Sequence, residues 1–190
     1  MEICPIFISF HLIVGSEYNP DIMKSVYRDS VYEIFEYTAA YPRAYLASGF
    51  RIAGTKQDLI DQLYSPETDR RQTLVLEDLP EVTPIPGDGE AQIVSYEVNS
   101  VSIKTSSQVP KLLLLSDTYD PGWQAYLDGN PVSIHRADYV FRAVAVPAGN
   151  HTVQFKYNPT GWRVGRWISL AAFVILLVMG VHKIYESRHL

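Results

Sequence analysis

A single cysteine, Cys4, occurs in 190 residues, so no disulfide within the chain can brace the fold. Basic residues are few and scattered: 16 Lys and Arg against 21 Asp and Glu leave a net charge of -5. Without a basic cluster to neutralise phosphates, nucleic acid is not the expected partner. Internal repeats and low-complexity tracts are absent. So are a Gly-rich phosphate loop, a Ser-His-Asp grouping and a nucleophile elbow, which removes the common signatures of an active site. Charged residues make up only 19% and hydrophobic ones 47%, too apolar for a disordered chain and enough to build a core.

The apolar surplus is concentrated near the C-terminus. Residues 167–181 read WISLAAFVILLVMGV without a charge. At about 1.5 Å per residue this block is short of a bilayer core of about 30 Å, but the extension 164–184 reaches it. Nine Leu, Ile, Val and Phe side chains in the block favour insertion by about 0.3–0.6 kcal/mol each. Trp162, Arg163, Arg166 and Trp167 on one side, and Lys183 and Tyr185 on the other, suit the two membrane interfaces. The absence of a polar face argues against a helix packed on a soluble core. A second apolar stretch, 5–15 (PIFISFHLIVG), is too short to span and lacks a signal peptide's basic start and cleavage site. Its β-branched content fits a buried strand.

Between these stretches the pattern is mostly that of strands, and 13 tyrosines agree with it. A polar stretch at 16–30 turns at Asn19-Pro20, and 32–37 (YEIFEY) alternates. Short strands are expected within 43–53 and at 72–76. Residues 55–64 (TKQDLIDQLY) form the one soluble helix, with Thr55 as N-cap and Ser65-Pro66 as its stop. A segment rich in Pro, Gly and acids, 79–90, reads as a linker or a long loop. Beyond it 93–98 pairs with 101–105, and 111–116 (KLLLLS) is apolar enough to be buried on both faces. Strands at 124–127 and 132–135 flank Asp128-Gly129, whose positive φ suits a tight hairpin. Strands at 139–146 and 152–157 follow. The expected fold is mainly β: an antiparallel β-sandwich with one short soluble helix and a C-terminal transmembrane helix. Its parts are a mixed α/β region 1–78, a β-sandwich portion 91–160, the membrane helix 162–185 and a tail 186–190.

The stretch 112–165 resembles the C-terminal part of the YfhO-type bacterial membrane proteins. The resemblance rests on Pro121-Gly122-Trp123, Asp128-Gly129, Arg142, Pro147-Ala148-Gly149, His151, Val153, Phe155, Tyr157 and Pro159. Tyr41-Pro42-Arg43-Ala44-Tyr45 is similar to the segment that opens the family's extracytoplasmic domain. The resemblance implies a domain outside the bacterial plasma membrane, beside a multi-helix part similar to glycosyltransferases that use lipid-linked sugars. The family's catalytic acids belong to an early loop between membrane helices and have no counterpart in these residues. The chain is therefore expected to be the tail of a longer protein, or a shortened reading frame, not catalytic by itself and without a cofactor. A polytopic membrane subunit, a lipid-linked sugar or an envelope polymer is then the expected partner, besides the bilayer itself. The alternatives are a stand-alone, membrane-anchored binding module and an enzyme with its site in the β domain.

Three residues are candidates for binding. Trp123 either stacks on a sugar or fills the core beside Ala125 and Leu127, with Gly122 permitting a sharp bend. Arg142, within an apolar strand, needs a partner such as Asp128 or Asp138, or an anionic ligand. His151 either orders the Gly149-Asn150 turn or binds a ligand. Asp117, Asp120, Asp128 and His135 show no spacing that would hold a metal.

Overall fold

The computed structural model describes residues 19–29 and 32–188; Cys4 and the apolar stretch 5–15 lie outside them. Contacts divide the chain between Pro42 and Arg43 into two compact units. In the first, β1 (Met23–Arg28) and β2 (Glu33–Tyr37) pair antiparallel, with a bulge between Ser25 and Tyr27. The expected turn at Asn19-Pro20 closes through hydrogen bonds from the Met23 amide to the Asn19 carbonyl and from the Asp21 amide to Asn19 Oδ1, both 3.0 Å. The polar stretch 16–30 thus contains a strand. β1 is exposed along nearly all its length, so no apolar alternation announces it.

The second unit continues with β3 (Ala44–Ala47), β4 (Gly49–Ile52), helix α1 (Lys56–Leu63) and β5 (Thr73–Leu76). Then come β6 (Gly89–Glu97), β7 (Ser100–Ser107), β8 (Lys111–Leu115), β9 (Trp123–Leu127) and β10 (Asn130–Val132). The last elements are β11 (His135–Ala137), β12 (Phe141–Val146), β13 (Gly149–Tyr157) and helix α2 (Thr160–Arg188). Two sheets result, ordered β10-β9-β13-β7-β6 and β3-β8-β12-β11-β5-β4. All pairs are antiparallel except β4 with β5. Strands from both sides of the 79–90 loop share the six-stranded sheet.

The sheets meet face to face. Val101, Ile103, Ala125, Val153 and Phe155 from one pack with Ala44, Leu113, Leu115, Val144 and Val146 from the other. Alternate residues of the six-stranded sheet point the other way. Leu112, Leu114, Ala143 and Ala145 join Leu74, Leu76 and Ala137 in a second cluster, so β8 is buried on both faces as its apolar run requires. Leu59 of α1 covers Val75. Thr55 caps that helix, its Oγ1 accepting from the Asp58 amide at 3.1 Å, while Asp58 Oδ2 accepts from the Gly54 amide at 2.9 Å.

One turn keeps the chain within a sheet and the next connection carries it to the other. Asp128 (φ 49°) and Gly129 (φ 86°) form the tight hairpin turn that joins β9 to β10. The segment 132–135, expected as one strand, is two: β10 ends at Val132 in one sheet and β11 begins at His135 in the other. The two intervening residues carry the chain across the edge of the sandwich.

At its C-terminal end β13 leads into α2 through Asn158 and Pro159. The Asn158 amide donates to the Gly122 carbonyl at 2.8 Å, and the Tyr157 amide to the Asn99 carbonyl at 2.9 Å. Within α2, Thr160–Gly180 contains an 18-residue stretch of mean hydropathy 1.7, none of it buried, and is long and apolar enough to cross a membrane.

Candidate functional site at the helical end of the sandwich

Arg142 lies at the start of β12, opposite Leu115, and its parity turns it into the space between the sheets. Its side chain is 1% exposed. The guanidinium carbon sits 4.0 Å from the Trp123 ring centroid and 5.2 Å from that of Phe155. Nη2 donates to Asp117 Oδ2 at 2.9 Å. The partner is therefore Asp117, not Asp128 or Asp138, each of which serves a different loop. Asp117 Oδ2 also accepts from the Tyr96 hydroxyl at 3.0 Å, and Oδ1 from Arg43 Nε at 3.0 Å. Arg43 in turn lies 4.4 Å from the Tyr96 ring centroid. Arg142 Nε and Nη1 are buried with no hydrogen-bond acceptor among the described residues, and aromatic faces take the place of oxygens there. Burial pushes the Arg142 guanidinium below its ordinary value, against the pull of Asp117 and Tyr96. Burial, with the hydrogen bond to Asp117, raises the Tyr96 phenol.

Trp123 opens β9 directly beside this cluster. Arg142 occupies one face of its indole, and the Tyr157 ring tilts against it at 5.2 Å between centroids. Gly122 lies in the expected bend, the turn closed by the Trp123 amide on the Asp120 carbonyl at 3.1 Å, and also permits close approach: a Cβ there would lie 2.7 Å from Tyr157 Cε2 and 3.1 Å from Pro159 Cβ. A cleft of about 350 Å³ opens alongside, lined by Tyr119, Trp123, Gln124, Tyr126 and Pro131 among others. Trp123 and Arg142 thus converge on one place, at the end from which α2 departs.

His151 does not join them. It sits near the start of β13, toward the other end of the sandwich, where its Nδ1 is 2.7 Å from Asp128 Oδ2 and its Nε2 3.3 Å from the Ala148 carbonyl. Asp128 also accepts from the Thr152 amide at 2.8 Å, so one carboxylate ties the β9–β10 turn to β13. The hydrogen bond to Asp128 holds the His151 imidazole above its ordinary value, and the Asp128 carboxyl is lowered by the same contact. His135 is buried between Asp78 Oδ1 (3.0 Å) and Glu81 Oε2 (2.8 Å). Burial pushes its imidazole down, but hydrogen bonds to Glu81 and Asp78 outweigh that and raise it. Among the described residues no group of three or more His, Cys, Asp and Glu side chains is arranged to hold a metal ion. Asp120 Oδ1 accepts from the Gly122 amide at 2.7 Å, as a turn residue does.

The family model described as "Bacterial membrane protein YfhO" matches residues 82–169, from the loop before β6 into the first turns of α2. This is a YfhO-family segment. No curated protein and no solved structure matches the chain. The YfhO-family segment contains Asp117, Trp123, Arg142 and His151, together with Trp162, Arg163, Arg166 and Trp167 at the start of α2. Trp162 and Trp167 are exposed on that helix, and Arg166 reaches over Trp167 at 5.6 Å. Lys183 and Tyr185 lie in α2 beyond the matched residues; their side chains and that of Arg163 fall outside the described ones.

Sequence reasoning missed Arg43, Tyr96 and the pairing role of Asp117. Arg43 is 74 positions from Asp117, and no local spacing links them. The one available signal was Arg142 itself: a cation in a strand buried on both faces demands an acid at the same end of the sheet.

Proposed function

We propose that the β-sandwich is a non-catalytic extracytoplasmic domain of a YfhO-like membrane protein, held at the bilayer by α2 and serving glycosylation of a cell-envelope polymer. The observation that carries this reading is the unbroken match across 82–169, which runs from the sandwich through its two-residue connector into an apolar helix. Trp123 and Arg142 support a stabilising role at that end. Arg142 covers one face of the indole, as Arg136 does for Tyr119 at 5.2 Å and Lys156 for Tyr126 at 5.2 Å, and Gln124 is exposed beside them in the neighbouring cleft. Tyrosines and an amide suit the faces and hydroxyls of a carbohydrate chain, so the domain would position the acceptor while the multi-helix part transfers the sugar. The same cleft favours a second reading, a membrane-anchored carbohydrate-binding module that acts without such a part.

Two measurements test the proposal. In a Cys4→Ser background, a cysteine at Asn130 should react with a membrane-impermeant maleimide in intact cells. Cells lacking the protein should carry less sugar on their envelope polymer, while the purified chain alone transfers none. Labelling only after lysis, or sugar transfer by the purified chain, overturns it.

A further inference from the structure

Several turns meet at the end of the sandwich from which α2 departs, and two of them expose apolar side chains. The β6–β7 turn puts Val98 at its tip, 92% exposed. The β11–β12 turn exposes Tyr139 (42%) and Val140 (38%), with Asp138 and Tyr139 both at positive φ. At the opposite end the turns between adjacent strands, Asp128-Gly129 and Pro147-Ala148, are small or polar, and the exposed Ile85 there belongs to the long loop, its amide bonded to the Pro110 carbonyl at 3.0 Å.

Both apolar turns are fastened to the strand ends beside α2. Asn99, next to Val98, accepts from the Tyr157 amide at 2.9 Å, three residues before Thr160 begins the helix. The Val140 carbonyl accepts from the Tyr119 amide at 2.6 Å, and Tyr119 lines the same cleft as Trp123. The connector has no slack, because Asn158 is bonded to Gly122 and Pro159 packs over that glycine.

The distances then constrain where this end lies. If the apolar span begins at Val164, Thr160 stands about 6 Å outside the hydrocarbon, within the headgroup layer of roughly 5–7 Å on each side. Trp162 and Trp167, both exposed, are where indoles settle at that boundary. Tyr157 is three residues further back, within about 10 Å of Thr160 even if extended.

We infer that the α2 end of the sandwich rests on the lipid bilayer, with Val98 and the Tyr139-Val140 turn seated in the interfacial layer. The partner surface is lipid, since these side chains continue the apolar surface that α2 begins. The contact fixes the domain against the membrane and leaves the Asp128-Gly129 end pointing away. It rests on α2 crossing the bilayer, but not on which side the domain occupies or on any role in glycosylation.

The full chain, in a Cys4→Ser background, is reconstituted into phosphatidylcholine–phosphatidylglycerol vesicles. An environment-sensitive NBD fluorophore is placed at Val98→Cys, Val140→Cys, Asn130→Cys or Phe173→Cys. The inference expects blue-shifted emission, quenched by lipids brominated near the headgroup, at positions 98 and 140. Position 130 should emit as in water, and position 173 should be quenched by lipids brominated deep in the chain. Water-like, unquenched emission at 98 and 140 with a quenched 173 overturns the interfacial contact alone. An unquenched 173 overturns the membrane span and the contact with it.

Discussion

Asp117 is where most of the charge at the helical end of the sandwich converges. It receives two arginines and a tyrosine hydroxyl while being only 11% exposed. Replacing it with alanine leaves Arg142 buried without a carboxylate, a change that typically costs about 3–5 kcal/mol. Asp117→Ala should therefore lower the thermal midpoint of the detergent-solubilised chain strongly. Arg142→Met should lower it less, because it removes the buried charge and keeps an aliphatic chain against Trp123 and Phe155. A second residue-scale effect concerns pH. Burial raises the Asp138 carboxyl from 3.8 to about 6, against the hydrogen bond it accepts from the Val75 amide. A raised folded-state value means that its stabilising contribution is complete below 3.8 and is lost as pH rises through about 6. Asp138→Asn keeps an acceptor for Val75 and cannot ionise. It should flatten stability across that window and gain on the order of 1–3 kcal/mol near neutrality, read from denaturation midpoints measured over a pH series. His135, also raised, retains its own dependence at higher pH in the same sense.

Among the elements, the most constrained junction is β9 with the end of β13. Gly122→Ala places a methyl group 2.7 Å from the Tyr157 ring and 3.1 Å from Pro159, so the connector must lift or the ring must turn. The expected result is a loss of about 1–3 kcal/mol with altered near-ultraviolet circular dichroism from Trp123. At Gly129, where nothing lies within 4 Å, alanine meets only the strain of φ +86°. Elements also show where sequence reading succeeds. The Asp128-Gly129 turn, the Thr55 cap and the two-sided burial of β8 are local, each signalled by residues within a few positions of one another. The crossing between β10 and β11 is not local. Val132 and His135 look continuous in sequence, and only the second sheet, built partly from β3, β4 and β5, makes the chain switch partners there. The same holds for the Arg142 partner, because Asp117 reaches it across a β-pairing rather than along a strand. The bend at Gly122 was legible, but the crowding that demands glycine there was not, since the rings that press on it lie more than thirty residues away.

For the whole molecule, the decisive division is between a sandwich with a buried core and a helix with none. Because Thr160–Gly180 is unburied, its apolar surface needs lipid or detergent. Val174→Arg, near the middle of the span, should oppose insertion by about 2.5–3.5 kcal/mol. Its signature is a larger fraction released from membranes by alkaline carbonate, with the strand-rich circular dichroism of the released chain retained. The two-residue link between strand and helix has a mechanical consequence. With Asn158 bonded to Gly122 and Tyr157 packed over it, the strand end is tied down as far as Asn158, and only Pro159 separates it from the helix. Any torque or lateral pressure acting on the helix is delivered as a lever stroke to the base of the sandwich.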